Sequence, residues 1–366
     1  MSKKIITVVG ARPQFIKAAP VSAALRDAGH REVLVHTGQH YDHDMSAVFF
    51  EELGMKPPDH SLAVGSGRHG AQTGAMLVGI EEVLHNERPD WMLVYGDTNS
   101  TLAGALAASK MHIPVAHVEA GLRSFDMRMP EEVNRKLVDH LSALLLAPGT
   151  TAIANLEREG LQQGVHDVGD VMADALMHAV QAGRGSDPLL DKLSLRRGRY
   201  LLVTLHRAQN TECLSTLRTL LDVLADRGET AVFPVHPRTA SLVDAVTEAG
   251  FVAGMRAAGS ATRGPVIFTP PLGYLDMVRL ERHARAIVTD SGGVQKEAYW
   301  LRVPCVTLRP NTEWIETVDE GWNRLAPLDD AAGVAAAIEA AQPLATHRPL
   351  YGDGQAAARI AELLGS

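Results

Sequence analysis

Short apolar runs alternate with longer stretches of helical periodicity along most of the chain. The runs are rich in Val, Ile and Leu, a composition typical of strands that are buried on both faces of a parallel sheet. Strands are predicted at residues 4–9, 32–36, 91–95, 115–118, 144–147, 200–204, 231–235, 266–268, 286–289 and 305–308. This alternation predicts βαβ units, in which helices cover both faces of a parallel sheet.

Two α/β series follow one another in the chain, which at 366 residues is too long for one ordinary core. Helices are predicted between the strands, among them residues 18–28, 98–110, 131–142, 213–227 and 331–341. We expect a first domain over residues 1–170 and a second domain over residues 171–350. The last segment, residues 351–366, contains a predicted helix at 354–364 that we expect to pack back on the first domain.

The stretch AIVTDSGGVQKEAYW (286–300) joins a predicted strand to a helix that we expect to begin near Val294. Backbone N–H groups at a helix start are unpaired and attract an anion, and Gly292 and Gly293 would let a phosphate approach closely. Glu297 lies about one turn into the helix, where a carboxylate could bind ribose hydroxyls. An ordinary strand–turn–helix connection explains a lone SGG motif equally well.

Charge and cysteine content restrict the possible partners. Acidic residues outnumber basic ones 43 to 35 and no basic tract occurs, so we expect no nucleic-acid partner. No apolar run approaches the roughly 18 residues of a membrane span, so we expect no membrane partner either. The two cysteines, Cys213 and Cys305, lie far apart. They provide neither a disulfide framework nor a cysteine metal site, which points to the cytoplasm.

The first predicted strand runs into GARPQFIK (10–17), which places Arg12 and Lys17 beside a helix start. Ligands of parallel sheets bind beyond the carboxyl ends of the strands, and two cations at a helix start suit a phosphate. Surface cations on an ordinary helix are the simpler alternative. The segment is not the G-x-G-x-x-G fingerprint of dinucleotide-binding proteins, so NAD is not indicated.

Three carboxylates stand near predicted strand ends in the first domain, at Asp97, Glu119 and Glu131. Together they form a candidate acid/base set. Structural explanations exist too, because Asp97 could cap the helix predicted from residue 98 and Glu131 could occupy a first helical turn behind a proline. Glu119 is costly to bury without a partner, and Arg123 is an available cation.

In the second domain, two predicted strands end in histidine-containing segments. The strand at 200–204 is followed by His206 and Arg207, which could face a leaving diphosphate. The strand at 231–235 is followed by HPR (236–238). For this second segment, a functional and a structural role are equally compatible with the sequence.

The segment HTGQHYDHD (36–44) contains three histidines and two aspartates, which invites a metal-site interpretation. Its first two histidines are four residues apart, but the segment follows a strand, contains Gly38 and lacks the glutamate of H-E-x-x-H. We therefore predict no metal site. The chain also lacks a G-x-S-x-G elbow and an apparent Cys–His pair, which argues against hydrolases of those kinds.

An ordered set of motifs covers almost the whole chain. The motifs are GARPQFIK (10–17), HTGQHYD (36–42), YGDTNSTLAGALAA (95–108), HVEAGLRS (117–124), MPEEVNR (129–135), VGDVMADAL (168–176), VTLHR (203–207), PVHPR (234–238), TDSGGVQKEA (289–298) and YGDGQAAARI (351–360). The set resembles the non-hydrolysing UDP-N-acetylglucosamine (UDP-GlcNAc) 2-epimerases. The resemblance implies an α/β fold of two Rossmann-like domains whose parallel sheets face each other across a cleft, the glycosyltransferase-B arrangement, and a homodimer.

The resemblance also implies a reaction, the interconversion of UDP-GlcNAc and UDP-N-acetylmannosamine (UDP-ManNAc) for polysaccharide biosynthesis. The route is anti elimination of UDP to 2-acetamidoglucal and syn re-addition with the proton on the opposite face, without a redox cofactor. By motif match, Asp97, Glu119 and Glu131 are the acid/base candidates, with the division of roles left open. The residues matched to UDP and its diphosphate are Arg12, Lys17, His206, Arg207, Ser291, Gly292, Gly293 and Glu297; His206 matches the family's essential histidine.

Two features depart from the family pattern. Many relatives carry glutamate where this chain has Gln209, and we expect the loss of that charge to be tolerated. Bacterial members can be activated by UDP-GlcNAc bound beside the active site, and Gln39, His40 and Gln72 match that allosteric site. Ala71 stands where some relatives have an arginine, which counts against such activation in this chain.

Three other functions are compatible with the sequence. SFDMRMPEE (124–132) and TEWIETVDEGWN (312–323) also resemble epimerases of UDP-2,3-diacetamido-2,3-dideoxyglucuronic acid, for which Arg128 is a plausible partner of the uronate. A retaining glycosyltransferase on the same fold is more distant, because the three carboxylates speak against it. A catalytically silent nucleotide-sugar-binding protein is disfavoured because the chain retains those carboxylates together with His206.

Overall fold

The computed structural model describes residues 2–39, 54–182, 187–211 and 213–366, and the side chains of Arg12, Ala208 and Gln209 lie outside the described part. The chain forms two compact units. Unit 1 comprises Met1–His178 and Leu350–Ser366, and unit 2 comprises Ala179–Pro349. Residues 171–178, which we assigned to the second domain on sequence, thus lie in unit 1.

Unit 1 is built on a seven-stranded sheet whose strand pairings, among the described residues, are all parallel. Its strands are β1 (Lys4–Val9), β2 (Arg31–His36), β3 (His60–Ser61), β4 (Trp91–Tyr95), β5 (Val115–Val118), β6 (Leu144–Ala147) and β7 (Val165–Asp167). Their order across the sheet is β3-β2-β1-β4-β5-β6-β7. Strands β1, β4 and β5, which precede candidate residues, are therefore neighbours at the centre of the sheet.

Helices connect these strands. Those in the described part of the first series are α1 (Arg12–Asp27), α2 (His69–Glu87), α3 (Asn99–Lys110), α4 (Pro130–Leu141), α5 (Thr150–Arg158) and α6 (Val171–Ala182). Helix α1 begins six residues before the predicted start at residue 18 and contains Pro20 in its interior. Its earlier start places the segment 12–17 inside the helix rather than in a loop.

Unit 2 contains a second seven-stranded sheet. Its strands are β8 (Leu201–Thr204), β9 (Ala231–Pro234), β10 (Ala261–Arg263), β11 (Val266–Thr269), β12 (Ala286–Thr289), β13 (Cys305–Thr307) and β14 (Asn323–Leu325). The order is β10-β11-β9-β8-β12-β13-β14, and among the described pairings only β10 with β11 is antiparallel. Strands β8 and β12 are hydrogen-bonded neighbours, so the residues that follow them share one sheet edge.

The helices of unit 2 and the chain terminus complete the two units. In unit 2 they are α7 (Pro188–Lys192), α8 (Ala208–Thr211), α9 (Leu214–Arg227), α10 (Ala240–Val246), α11 (Phe251–Ala258), α12 (Tyr274–His283), α13 (Gly292–Trp300), α14 (Ile315–Asp319) and α15 (Ala331–Ala340). The last helix, α16 (Ala356–Gly365), packs against α1 in unit 1. The carboxylate of Asp174 accepts hydrogen bonds from the backbone N–H groups of Ala356 and Ala357 and so caps the start of α16.

The structure confirms the α/β fold with two mainly parallel sheets. The strands that the sequence missed, β3, β7, β10 and β14, are the edge strands of the two sheets. Each is two or three residues long and none is fully buried, so none contains the apolar run that marks a central strand. Within the described ranges, no helix combines the length and apolar character that a membrane crossing requires.

Candidate active site

Lys17 and Glu119 form a largely buried ion pair at the carboxyl edge of the first sheet. Lys17 lies on the second turn of α1, and Glu119 follows β5. Burial lowers the pKa of Lys17, but the charge of Glu119 and the hydrogen bond to Glu119 raise the pKa by more, so the net pKa lies above the usual value. The lysine that we matched to the diphosphate thus contacts an acid/base candidate of its own unit.

Glu119 has an unusual backbone conformation. Its backbone φ of 69° lies in the left-handed region, which residues other than glycine rarely adopt. Arg123, four residues after Glu119, was the cation we expected beside it, and that expectation is wrong. Arg123 instead binds Asp139 and Glu159, because its guanidinium points toward α4 and α5 while Lys17 reaches Glu119 from α1.

Asp97 follows β4 and pairs with Arg135 of α4, with 2.5 Å between Oδ2 and the guanidinium. The backbone carbonyl of Asp97 accepts a hydrogen bond from Asn134 at 2.9 Å. Asp97 is not the helix cap that we considered, since the hydroxyl of Thr98 accepts the bond from the Thr101 N–H at the start of α3. The Asp97 side chain is therefore free of a capping role.

Glu131 occupies the first turn of α4, directly after Pro130, and its side chain is exposed. Its neighbour Glu132 is buried and accepts hydrogen bonds from the backbone of Ser124 and Phe125. Helix α4 thus presents Glu131 to solvent and uses Glu132 to hold the preceding loop.

A buried polar network lies beneath Asp97 and Glu119. His117, on β5, contacts Asp139 through Nδ1 and the Gly96 carbonyl through Nε2, both at 2.7 Å. Asp139 also contacts the Arg123 guanidinium at 2.7 Å and the Gly121 N–H at 3.1 Å. Burial raises the pKa of Asp139, but the hydrogen bonds and charges of His117 and Arg123 lower the pKa by more, so the net pKa lies below the usual value.

The residues matched to an allosteric site are largely inside the fold. Gln39 is buried and accepts hydrogen bonds from the Ser100 N–H and hydroxyl. Gln72 is buried as well, donates to the Gly65 carbonyl at 2.8 Å and accepts from Asn99 at 2.8 Å. His40 lies outside the described residues, as does the side chain of Arg12.

In unit 2, His206 follows β8 and Asp290 follows the neighbouring strand β12. Nδ1 of His206 lies 3.0 Å from Oδ1 of Asp290, which is fully buried, whereas the His206 side chain is 36% exposed. Asp290 also accepts from the backbone N–H of Arg207 and from Asn210. Burial raises the pKa of Asp290. The hydrogen bonds that Asp290 accepts, of which that of His206 has the largest effect, lower the pKa by more, so the net pKa lies below the usual value.

Helix α13 begins at Gly292, two residues before the predicted start at Val294. Ser291 is the N-cap, and its hydroxyl accepts from the Val294 N–H. Gly292 and Gly293 therefore stand in the first helical turn, where backbone N–H groups lack intrahelical acceptors. The helix start is a candidate anion site with Arg207 close by, since a Cβ on Gly292 would lie 3.8 Å from the Arg207 guanidinium.

Glu297 is buried on α13 beyond this helix start. It faces a second buried carboxyl, Glu281, whose pKa is raised well above its usual value by burial and by the charge of Glu297. Arg207 lies 3.6 Å from Glu313, and the ring of His236 lies 5.6 Å from that of His206. The structure thus places His206, Arg207 and the helix start at Ser291, Gly292 and Gly293 around the carboxyl ends of β8 and β12, with Glu297 further along α13.

Comparison with known proteins identifies the family. The family model described as UDP-N-acetylglucosamine 2-epimerase matches residues 23–365. The chain belongs to this family.

Individual relatives agree with this assignment. The chain is 47% identical to a UDP-N-acetylglucosamine 2-epimerase homolog of Methanococcus maripaludis, over 99% of each chain. It is 45% identical to the UDP-2,3-diacetamido-2,3-dideoxy-D-glucuronate 2-epimerase of Pseudomonas aeruginosa, again over 99% of each. The crystal structure of the Methanocaldococcus jannaschii UDP-GlcNAc 2-epimerase in complex with UDP-GlcNAc and UDP is similar at a TM-score of 0.83, with 39% identity and 99% coverage of each chain.

Within this epimerase family member, sequence reasoning missed several residues that contact the candidates. Arg135 and Asn134 hold Asp97, and both lie in the MPEEVNR motif from which only the first glutamate was selected. His117 lies in the HVEAGLRS motif, but a histidine inside an apolar strand gave no signal of its role. Asp139 lies outside every motif, so only the structure reveals it.

The histidine-rich segment and the two cysteines were the candidates for metal ligands. Among the residues that the structure describes, no cluster of three or more His, Cys, Asp or Glu side chains could hold a metal ion. Of the histidine-rich segment 36–44, residues 40–44 lie outside the described part. Both cysteines are free, Cys305 buried and Cys213 exposed.

Proposed function

We propose that the protein interconverts UDP-GlcNAc and UDP-ManNAc by epimerisation at C2. Membership in the epimerase family supports the reaction class, and the single structural observation that carries the proposal is the set of cation-paired carboxylates at the carboxyl ends of β4 and β5.

The C2 hydrogen of the sugar is not acidic enough for simple removal and return. We infer a two-step route in which a carboxylate takes the C2 proton while the C1–O bond breaks and its electron pair leaves with UDP. This anti elimination yields 2-acetamidoglucal and UDP. Syn re-addition then re-forms the C1–O bond while a carboxylic acid delivers a proton to C2 from the opposite face.

The carboxylates Asp97, Glu119 and Glu131 take the proton-transfer roles in this proposal. Lys17 beside Glu119 and Arg135 beside Asp97 hold the buried carboxylate of Glu119 and the partly exposed carboxylate of Asp97 in fixed orientations, which is what efficient proton transfer requires. Glu131 is exposed in the first turn of α4.

The unit 2 edge takes the UDP-binding role. The helix start at Ser291, Gly292 and Gly293 offers backbone N–H groups and the positive end of the helix dipole to the diphosphate. His206 and Arg207 supply positive or hydrogen-bonding groups for the departing UDP. Glu297 binds the ribose, and Arg12 adds a cation at the start of α1.

The diacetamido-uronate epimerase is the second candidate function. The chain is 45% identical to the Pseudomonas aeruginosa enzyme and 47% identical to the Methanococcus maripaludis homolog, and these similar identities support the diacetamido-uronate sugar as an alternative substrate. Arg128, the partner we considered for the uronate, is 91% exposed and binds Asp126 through both of its carboxylate oxygens. A uronate would therefore compete with Asp126 for this guanidinium.

The deciding experiment is incubation of the purified protein with UDP-GlcNAc in D2O, followed by proton NMR. We expect UDP-ManNAc to appear with deuterium at C2. Free ManNAc with UDP would indicate a hydrolysing enzyme and overturn the proposal. An unchanged spectrum, together with epimerisation of the diacetamido-uronate sugar, would establish the second candidate, and tight UDP binding without turnover of either would indicate a silent binding protein.

Variants locate the chemistry in the same assay. Asp97→Asn, Glu119→Gln and Glu131→Gln should each reduce turnover by at least ~100-fold, the usual scale for acid/base groups, and leave UDP affinity nearly unchanged. Glu157→Gln, at an exposed position of α5, is the matched control and should keep full turnover. Near-normal turnover in all three carboxylate variants would exclude the acid/base assignment.

The assembly and location are part of the proposal as well. We propose a cytoplasmic homodimer, in line with the family resemblance and with two free cysteines in the chain. Light scattering after size-exclusion chromatography measures the mass of the protein in solution. We expect the mass of a dimer, and the mass of a monomer would contradict the proposed assembly.

A further inference from the structure

His117 is a fully buried histidine whose two ring nitrogens both face acceptors. Nε2 lies 2.7 Å from the Gly96 carbonyl oxygen, which can only accept a hydrogen bond. Nδ1 lies 2.7 Å from a carboxylate oxygen of Asp139, which accepts when ionised. A neutral imidazole has one N–H, so it can satisfy both contacts only if Asp139 carries a proton.

The surroundings of Asp139 favour its ionised form. Its other oxygen receives the Gly121 N–H at 3.1 Å and the Arg123 guanidinium at 2.7 Å, so the carboxylate is surrounded by donors on both sides. Asp139 and Arg123 are both fully buried, where an unpaired charge would be very costly. A proton that moved from His117 to Asp139 would leave the Arg123 charge without this counter-ion.

The other charged groups around the network are paired among themselves. Arg123 also binds Glu159, which lies 3.5 Å from Lys136 on α4. On the other side of Gly96 lies the ion pair of Lys17 and Glu119. Among the described residues, Asp139 is therefore the carboxylate that contacts His117.

We propose that His117 is an imidazolium, with a proton on each ring nitrogen, that links the two turns in which Asp97 and Glu119 lie. Through Nε2–H it holds the Gly96 carbonyl, directly before Asp97. Through Nδ1–H it holds Asp139, which in turn holds the Gly121 N–H, two residues after Glu119. His117 touches neither substrate nor reacting atoms, so it is a positioning residue.

The turn after β5 needs such support, because Glu119 is a non-glycine residue in the left-handed region. Gly96 has a φ of 62°, Glu119 a φ of 69° and Gly121 a φ of 81°. A non-glycine residue persists there only where the surroundings hold it. The imidazolium and its aspartate supply one hydrogen bond to each turn, at the Gly96 carbonyl and at the Gly121 N–H, and these bonds link the positions of the two candidate carboxylates.

The protonation state is tested by NMR on protein labelled with ¹⁵N-histidine, independently of any activity. The His117 signals are those lost in His117→Gln. We expect both ring nitrogens of His117 to carry protons at neutral pH, and one bare ring nitrogen would overturn the proposal. If His117→Gln fails to fold, Asp139→Asn identifies the signals instead, because the asparagine amide can donate to Nδ1 and should leave that nitrogen bare.

The positioning role is tested by kinetics and rests on the proposed function. We expect His117→Gln and Asp139→Asn each to lower kcat by about 10- to 100-fold, the scale of a misplacement of reacting groups, with KM within about threefold. The double variant should be no slower than the slower single variant, since both changes disrupt one network. Unchanged kcat in folded variants, or multiplicative losses in the double variant, would overturn the positioning role.

A matched control separates the outcomes. His140→Gln lies one residue from Asp139 on the exposed face of α4 and should change neither kcat nor the histidine spectrum of His117. Wild-type protein that epimerises no nucleotide sugar would refute the proposed function, while the NMR result would still decide whether His117 is an imidazolium.

Discussion

Two histidine–aspartate pairs, one in each unit, use the same residue types in opposite ways. His117 and Asp139 of unit 1 are both fully buried, and the second ring nitrogen of His117 is occupied by a backbone carbonyl. His206 of unit 2 also contacts a fully buried aspartate, Asp290, yet its own side chain is 36% exposed. The difference shows that the same two residue types can form a pair that lies wholly inside a fold or a pair that reaches its surface.

The partners of the two aspartates follow the same division. Asp139 binds a buried guanidinium and a backbone N–H from the turn after β5, so it links elements within the fold. Asp290 accepts from the Arg207 N–H and from Asn210, which orients the segment that carries His206 toward the sheet edge. The pair of His117 and Asp139 therefore links elements in the interior of unit 1, and the pair of His206 and Asp290 orients a partly exposed side chain in unit 2.

The largest expected effect separates the two pairs by function. His206→Gln should lower the turnover of UDP-GlcNAc by at least ~100-fold, because it removes the group proposed to face the departing UDP. Its melting temperature should stay close to that of the wild type, because the side chain is partly exposed. His117→Gln should lower the melting temperature clearly, since it leaves buried acceptors without a donor. Thermal unfolding and steady-state kinetics measure both quantities.

The control for this comparison is again His140→Gln, which should match the wild type in both measurements. Equal thermal destabilisation of the His206 and His117 variants would show that the exposure of His206 does not distinguish the pairs. Near-normal turnover in His206→Gln would remove this residue from the proposed site.

A second prediction concerns acid stability. The pKa of Asp290 is lowered in the folded protein, so its ionised form contributes stability above the pKa of the unfolded chain, about 3.9. That contribution is lost as the pH falls through the lower, folded pKa. The gap in unfolding free energy between wild type and Asp290→Asn should thus be constant from about pH 7 to pH 5 and shrink below about pH 4, by up to ~1.4 kcal/mol for each pH unit.

Denaturant unfolding followed by tryptophan fluorescence suits this test, because Trp300, Trp314 and Trp322 all lie in unit 2. Asp329→Asn, at an exposed position of the same unit, is the control and should parallel the wild type at every pH. A gap for Asp290→Asn that stays constant down to about pH 3 would contradict the prediction.

The comparison also shows how far sequence reasoning reaches. The central strands were predictable because parallel strands buried on both faces leave continuous apolar runs, as in β1, β4 and β12. The residues that follow those strands were predictable because ligands bind at the carboxyl edge. His206 and Ser291 were found in this way, and the structure places both at the edge shared by β8 and β12.

Pairing between distant residues was beyond the sequence. Arg123 was expected beside Glu119 because the two are close in the chain, whereas the structure pairs Glu119 with Lys17, 102 residues away. Asp139 carries no motif, and its role depends on the packing of α4 under β5. Gln39 and Gln72 matched an allosteric pattern by residue type, but only the structure shows that both are engaged by the start of α3. Residue type and order predict well which residues follow the carboxyl ends of the central strands, and they do not determine which side chains meet there.

The smallest expected effect tests whether the pair of His206 and Asp290 works together with the adjacent helix start at Ser291. Ser291→Ala removes the N-cap of α13, which costs ~1 kcal/mol of stability and should weaken UDP binding by about fivefold. Asp330→Ala is a matched control, because Asp330 caps α15 in the same unit by accepting from the Gly333 N–H at 2.8 Å. It should cost similar stability and leave UDP affinity unchanged. Isothermal titration calorimetry with UDP measures both affinities. Equal losses in the two variants would mean that capping in general, rather than the helix start beside His206, supports nucleotide binding.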